Sequence, residues 1–140
     1  MITYVDTSTL LKRLLDEDGS ARADAIWEAA DALVAASIVV VEARAALAAA
    51  ERGGRLSSPQ HRAAKAGLQD LLEEVAIVEV TEDLVATAAD LAEEEGLRGY
   101  DAVHLAAALA VEAQILTSSD SALCDAAQRR GLHVANLIDV

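Results

Sequence analysis

The chain has no Phe, one Trp, two Tyr, one Pro and one Cys among its 140 residues. A core without Phe must be built from aliphatic side chains, and the abundant Ala lets helices approach closely. The lone Cys124 excludes an internal disulfide and fits a reducing compartment. With no basic neighbour to lower its pKa, it reads as a small core residue on a helix rather than a reactive thiol. No apolar run has the length needed to cross a membrane. A strand-like run already starts at Ile2 and leaves no room for a cleavable leader, so a cytoplasmic protein without a membrane partner is expected. Neither C-x-x-C nor H-E-x-x-H occurs, which removes the usual zinc sites. The absence of a Walker A loop, of G-x-G-x-x-G and of G-x-S-x-G removes P-loop NTPase, dinucleotide-binding and nucleophile-elbow chemistry.

Basic residues are also scarce: 11 Lys and Arg stand against 24 Asp and Glu, a net charge of −13. That balance speaks against a simple basic nucleic-acid-binding module. The distribution is less one-sided. Between Arg44 and Lys65 lie Arg44, Arg52, Arg55, Arg62 and Lys65 against the single acid Glu51, a stretch able to meet a phosphate chain. From Gly67 to Leu97 there is no Lys or Arg, and the acids there read as solvated helix faces.

What the chain does have is a regular alternation of short apolar runs with helical periods. Residues 2–5 (ITYV) predict a buried strand, and Asp6-Thr7-Ser8 predicts the cap of a helix running to about Asp16. After Asp18-Gly19-Ser20 a second helix is expected to bury Ala25, Ile26 and Ala29. Leu33–Ala36 predicts a strand and Ser37 the cap of a helix from Ile38 to Arg52, although Ile38–Val41 is β-branched and also suits a strand. Ser58-Pro59 marks the next helix start, running to about Glu74. Val75–Val80 reads as strand, and Thr81–Gly96 as a helix with acids in its first turn. A helix from Tyr100 to Glu112, a strand at Gln114–Thr117, a helix from Ser118–Asp120 to Gly131 and a strand at His133–Ala135 complete the pattern. The alternation predicts one α/β domain over residues 1–140, a mostly parallel sheet of four to five strands covered on both faces.

Four acids, Asp6, Glu42, Asp101 and Asp120, fall at the expected strand–helix junctions, where ligand sites of parallel sheets lie. Two carboxylates about 4 Å apart repel by roughly 4 kcal/mol at an effective dielectric of 20, so such a group takes up protons or needs a cation. An all-oxygen donor set suits Mg²⁺, or Mn²⁺ in its place, rather than zinc. Asp6 and Asp120 also suit helix caps. Glu42, in the apolar VVVEARAAL, needs a partner, and Arg44 is too close in sequence to share its helix face. His104, one turn after Asp101, reads as a hydrogen-bonded support for the acids rather than a ligand.

YVDTSTLLKRLLDE, SIVVVEARAALAAAERGGRLS, LRGYDAVHLAAALA and ILTSSDSALCDAA together resemble the PIN-domain ribonucleases, and among them the VapC toxins of bacterial type II toxin–antitoxin pairs. The resemblance spans essentially the whole chain. It implies a three-layer α/β/α fold and Mg²⁺-dependent hydrolysis of RNA phosphodiester bonds by a metal-activated water. Asp6 and Asp101 match the principal metal ligands, Glu42 the acid completing the set, and Asp120 the last acid. Thr7, Ser8 and Ser118 match small hydroxyl positions that orient the site. The resemblance further implies a homodimer and a VapB-type antitoxin, with Arg44, Arg52 and Arg55 as candidates for holding the RNA. Two other phosphotransfer folds place acids at strand ends, but a receiver needs a late Lys and none follows Lys65. The haloacid-dehalogenase-like pattern needs D-x-D, where this chain has Asp6-Thr7-Ser8. A binding module that keeps the fold without activity is the remaining alternative, and it would be expected to have lost an acid.

Overall fold

In the computed structural model, which describes residues 1–138, strands and helices alternate throughout. β1 (Ile2–Val5) leads into α1 (Thr7–Leu14) and α2 (Ser20–Ala29), and β2 (Ala32–Ala36) into α3 (Ile38–Arg52) and α4 (Ser58–Glu73). β3 (Val75–Val78) is followed by α5 (Glu82–Glu95) and α6 (Gly99–Ala110), β4 (Ile115–Ser118) by α7 (Ser121–Arg129), and β5 (His133–Asn136) closes the described chain. The last two residues of the expected 1–140 domain lie outside the described residues. The strand order is β3-β2-β1-β4-β5 and every pairing is parallel, so the sheet is wholly parallel rather than mostly so.

Strand alternation splits the core in two. Tyr4, Val34, Ala36 and Leu116 point to a layer closed by α5, α6 and α7, through Leu84, Leu91, Leu105 and Leu123. Val5, Leu33, Ala35 and Val75 point to the opposite layer, closed by α1 to α4 through Leu10, Trp27, Leu47 and Leu68. Both faces of the central strands are therefore buried, which is why they read as continuous apolar runs.

Several boundaries differ from the sequence reading. In α2 the buried face is Ala23 and Trp27, with Ala25 and Ala29 exposed, because covering one indole removes far more apolar area from water than covering two methyl groups. α4 is capped by Ser57, not Ser58: Ser57 Oγ accepts from the Gln60 amide while the Gln60 side chain accepts from the Ser57 amide. β3 stops at Val78 rather than Val80, where the Ser37 amide makes the last bond to its carbonyl. The β-branched Ile38–Val41 is helical, since Val39 and Ala43 bury one α3 face one turn apart. Gly96 ends α5 at φ +66°, a left-handed cap conformation that glycine adopts without penalty. None of the described helices is long and apolar enough to cross a membrane.

The topology sets one place apart. From β1 the chain moves outward through β2 to β3, then crosses to the other side of β1 to form β4 and β5. The reversal lies between β1 and β4, and beyond the carboxyl ends of these two strands a crevice opens.

Candidate active site

All four acids named from the sequence line that crevice, a cleft of about 450 Å³. Asp6 leaves β1, Asp120 follows β4, Asp101 stands in the first turn of α6 and Glu42 near the start of α3. Thr7, Ser8, His104, Arg98 and Tyr100 share the lining.

Asp6 is buried and held by three donors. The Thr9 amide (3.2 Å) and Ser8 Oγ (2.6 Å) donate to Oδ1, and Ser118 Oγ donates to Oδ2 at 2.5 Å, while the Thr9 hydroxyl donates to the Thr117 carbonyl at 3.0 Å. It is thus a helix cap and a cleft acid at once. Ser8 Oγ also accepts the Ser119 amide at 2.9 Å, and Ser118 Oγ the Asp120 amide at 2.9 Å, which ties the α1 and α7 starts together. Cys124, beside them, is buried; burial pushes its thiol up to about 12, consistent with a core residue rather than a nucleophile.

Glu42 is held at the cleft end of a hydrogen-bonded chain. Thr7 Oγ1 donates to Oε1 at 2.7 Å, and His104 Nε2 lies 2.8 Å from the same oxygen. His104 Nδ1 is 2.7 Å from the Tyr4 hydroxyl, which accepts the Ala36 amide at 3.0 Å. Burial pushes the Tyr4 phenol up, so its proton stays on and points to Nδ1. Nε2 then carries the hydrogen and donates to Glu42, an assignment that satisfies every partner. Burial opposes the Glu42 charge, but the hydrogen bonds from His104 and Thr7 outweigh it and hold the carboxyl below the usual range. His104→Ala is expected to destabilise the fold by about 2–4 kcal/mol, since it opens a cavity and strands the Tyr4 hydroxyl. Urea unfolding measures this, and a loss under 1 kcal/mol would mean the chain is not a structural support.

Asp101 and Asp120 are served differently. Arg98 Nε donates to Asp101 Oδ2 at 3.1 Å and an Arg98 terminal nitrogen to Asp120 Oδ2 at 2.7 Å. Asp120 also caps α7 by accepting the Leu123 amide at 2.9 Å. The Asp101 carboxyl lies above the usual range, through burial first and the neighbouring Asp120 charge second, against the opposing pull of Arg98. Among the described residues no three His, Cys, Asp or Glu side chains are drawn together tightly enough to encage an ion. The acids are instead turned toward their own donors, and a single guanidinium stands between two of them. The donor set nevertheless fits a hard divalent cation: it is all oxygen, converges on one cleft, and already attracts a cation.

The RNA candidates separate. Arg44 is exposed and lies two residues from Glu42; with Arg62 and Lys65 it edges a groove of about 490 Å³ between α3 and α4, floored by Val40, Leu68 and Leu72. Arg52 stands ten residues beyond Glu42, about 15 Å down the helix axis. Arg55 follows it and pairs with Glu17 at 3.1 Å. Neither lines the cleft. The sequence reading overlooked Tyr4 and Arg98. Arg98 carried a signal, three residues before Asp101 and next to the helix start; Tyr4 in an apolar strand carried none.

A PIN domain model matches residues 3–128. Ribonucleases VapC45 and VapC49 of Mycobacterium tuberculosis are each 40% identical over 110 residues, 79% of this chain and 76% of theirs. Among solved structures, VapC20 of Mycobacterium tuberculosis, described as a sarcin-ricin loop cleaving toxin, superposes with TM-score 0.69 at 21% identity, over 89% of this chain and 94% of that one. A toxin–antitoxin complex from Klebsiella pneumoniae gives 0.71 at 18% identity, over 99% of both chains.

Proposed function

The chain belongs to the PIN-domain family, and from that premise we propose that it is a divalent-metal-dependent endoribonuclease, the toxin of a type II toxin–antitoxin pair. The observation that carries this reading is the meeting of Asp6, Glu42, Asp101 and Asp120, from four separate elements, in one cleft at the reversal of strand order. Asp6, Asp101 and Glu42 would hold Mg²⁺, with Mn²⁺ as substitute, and Asp120 would act beside them. When bound, the ion supplies a water of lowered pKa and offsets charge on the phosphoryl oxygens. Ser8, the Thr9 amide and Ser118 hold the Asp6 carboxylate in place, and Thr7 with His104 holds Glu42 ionised. No side-chain nucleophile is required.

Cleavage-site mapping on total cellular RNA tests the reading, with Mg²⁺, with EDTA, and with Asp101→Asn as control. Cuts that need neither metal nor Asp101 would remove it, and RNA binding without cuts would leave a binding module.

The groove between α3 and α4 is the proposed path for the strand, because Arg44, Arg62 and Lys65 gather positive charge along it in a chain of net charge −13. Reversing Arg44, Arg62 and Lys65 to Glu is expected to weaken RNA binding roughly tenfold or more and to flatten its salt dependence by about 0.7 per lost phosphate contact. Reversing Arg52 and Arg55 should change neither. Titrations over a range of salt concentrations decide it: equal losses from both sets would mean a diffuse charge effect.

A VapB-type antitoxin and a second copy of this chain are the proposed protein partners. The first is supported by the toxin–antitoxin complex sharing the fold. For the second, the support is an apolar hollow beside the cleft, formed by Ile38, Val85, Ala92, Tyr100 and Val103.

A further inference from the structure

The two halves of the cleft are built from different kinds of donor. Asp6 and Glu42 are held by hydroxyls, a backbone amide and an imidazole, all on buried or half-buried positions of the frame. Such donors keep a carboxylate in place without competing for its charge. Asp101 and Asp120 share a full positive charge, that of Arg98, through one Oδ2 each. The acid at the centre is 7% exposed and the arginine 63% exposed, so the fixed member is the carboxylate and the movable one the cation. In the same position the Arg98 guanidinium also lies 4.8 Å from the centre of the Tyr100 ring, which lines the same cleft. Tyr100, 42% exposed, is also the exposed aromatic of a chain whose Tyr4 and Trp27 are buried.

Charge balance points the same way. Two carboxylates, Asp101 and Asp120, face the single guanidinium of Arg98 through one Oδ2 each, so the cluster keeps a net negative charge. A divalent ion held by Asp101 and the guanidinium of Arg98 would repel each other, so each would weaken the hold of the other on that carboxylate.

We propose that Arg98 is the exchangeable cation of this cleft: it bridges Asp101 and Asp120 while no divalent ion is held, and gives them up when one is. Released, the guanidinium stays over the rim on Tyr100, within reach of an anionic substrate, and its planar fork suits a phosphodiester oxygen pair. This second part rests on the ribonuclease reading. The first part does not, since it concerns only the acids and a cation.

Mn²⁺ binding to the full chain without RNA, followed by electron paramagnetic resonance, tests the exchange in wild type, Arg98→Gln, Arg98→Lys and Asp101→Asn. Removing the competing charge should tighten Mn²⁺ binding roughly five- to tenfold in Arg98→Gln, with Arg98→Lys between it and wild type. At saturating Mn²⁺ the same Arg98→Gln chain should cut RNA about a hundredfold more slowly, the loss typical of a missing donor to developing charge. Tighter metal and slower cleavage in one variant is a pairing that a purely structural ion pair does not produce. Unchanged or weaker Mn²⁺ affinity in Arg98→Gln overturns the exchange, and a wild-type cleavage rate overturns the substrate role. A wild type that binds Mn²⁺, tightens on Arg98→Gln and yet cuts no RNA supports the exchange and overturns the ribonuclease reading alone.

Discussion

Asp101→Asn is expected to lower RNA cleavage by about three orders of magnitude, the several kcal/mol that a metal-ligand carboxylate underwrites, while raising thermal stability. The two effects have one cause. Asp101 is buried at the start of α6, next to Asp120, and both features raise its proton affinity in the fold. A folded-state pKa above the unfolded one means extra stability at low pH, where the proton is on in both states. That stability is lost as the pH rises through the folded pKa. At neutral pH the ionised Asp101 is therefore a burden on the fold. Asn has the same shape, keeps an acceptor for Arg98 and carries no charge. Its Tm at pH 7 should exceed that of wild type by about 2 °C, and the gain should shrink as the pH falls into the acid range. Differential scanning calorimetry over a pH series, beside single-turnover cleavage, checks both. A variant that cleaves normally, or melts earlier than wild type at pH 7, removes Asp101 from its proposed place.

Chelation should have an effect of the same size. Excess EDTA is expected to bring cleavage to background, and Mg²⁺ or Mn²⁺ to restore it. Zinc should restore it poorly, since the cleft offers no thiolate and both nitrogens of its one imidazole are engaged, Nδ1 by Tyr4 and Nε2 by Glu42. A readout independent of RNA follows from linkage. An ion that binds only the folded chain raises stability by about 2.7 kcal/mol at a hundred times its Kd. The melting temperature of wild type should climb with Mg²⁺, and that of Asp101→Asn should barely move. Undiminished cleavage in excess EDTA would exclude a metal role, and an equal metal-induced rise in both chains would move the ion elsewhere.

The legible part of the site was the part made of charge in unusual company. Glu42 in VVVEARAAL and Asp101 in GYDAVHLAAAL stand out because an acid in an apolar helix needs a reason, and the cleft supplies it. His104 was readable as a support for the same cause, and the fold places it between Tyr4 and Glu42. The hydroxyls were readable only through the family resemblance, since Ser and Thr near a helix start are ordinary caps. Tyr4 was not readable, because an aromatic residue in a buried strand is what any such strand contains. Arg52 and Arg55 lie near Glu42 in sequence but do not line the cleft. Basic residues clustered along a chain need not share a surface, and a helix carries them about 1.5 Å further from the cleft with each residue.

Local pattern alone determined the element types, the parallel sheet, the aliphatic core and the list of acids that lack a bland explanation. These follow from hydrophobic periodicity and from the cost of burying charge, both of which act over a few residues. Only the tertiary structure decided which donors each acid has. Ser118 reaches Asp6 across 112 residues and His104 reaches Glu42 across 62, and such pairings are set by the order of strands in the sheet. It also decided that one arginine stands where two of the acids meet. Strand order is a property of how whole layers pack against one another, so no window of the chain contains it.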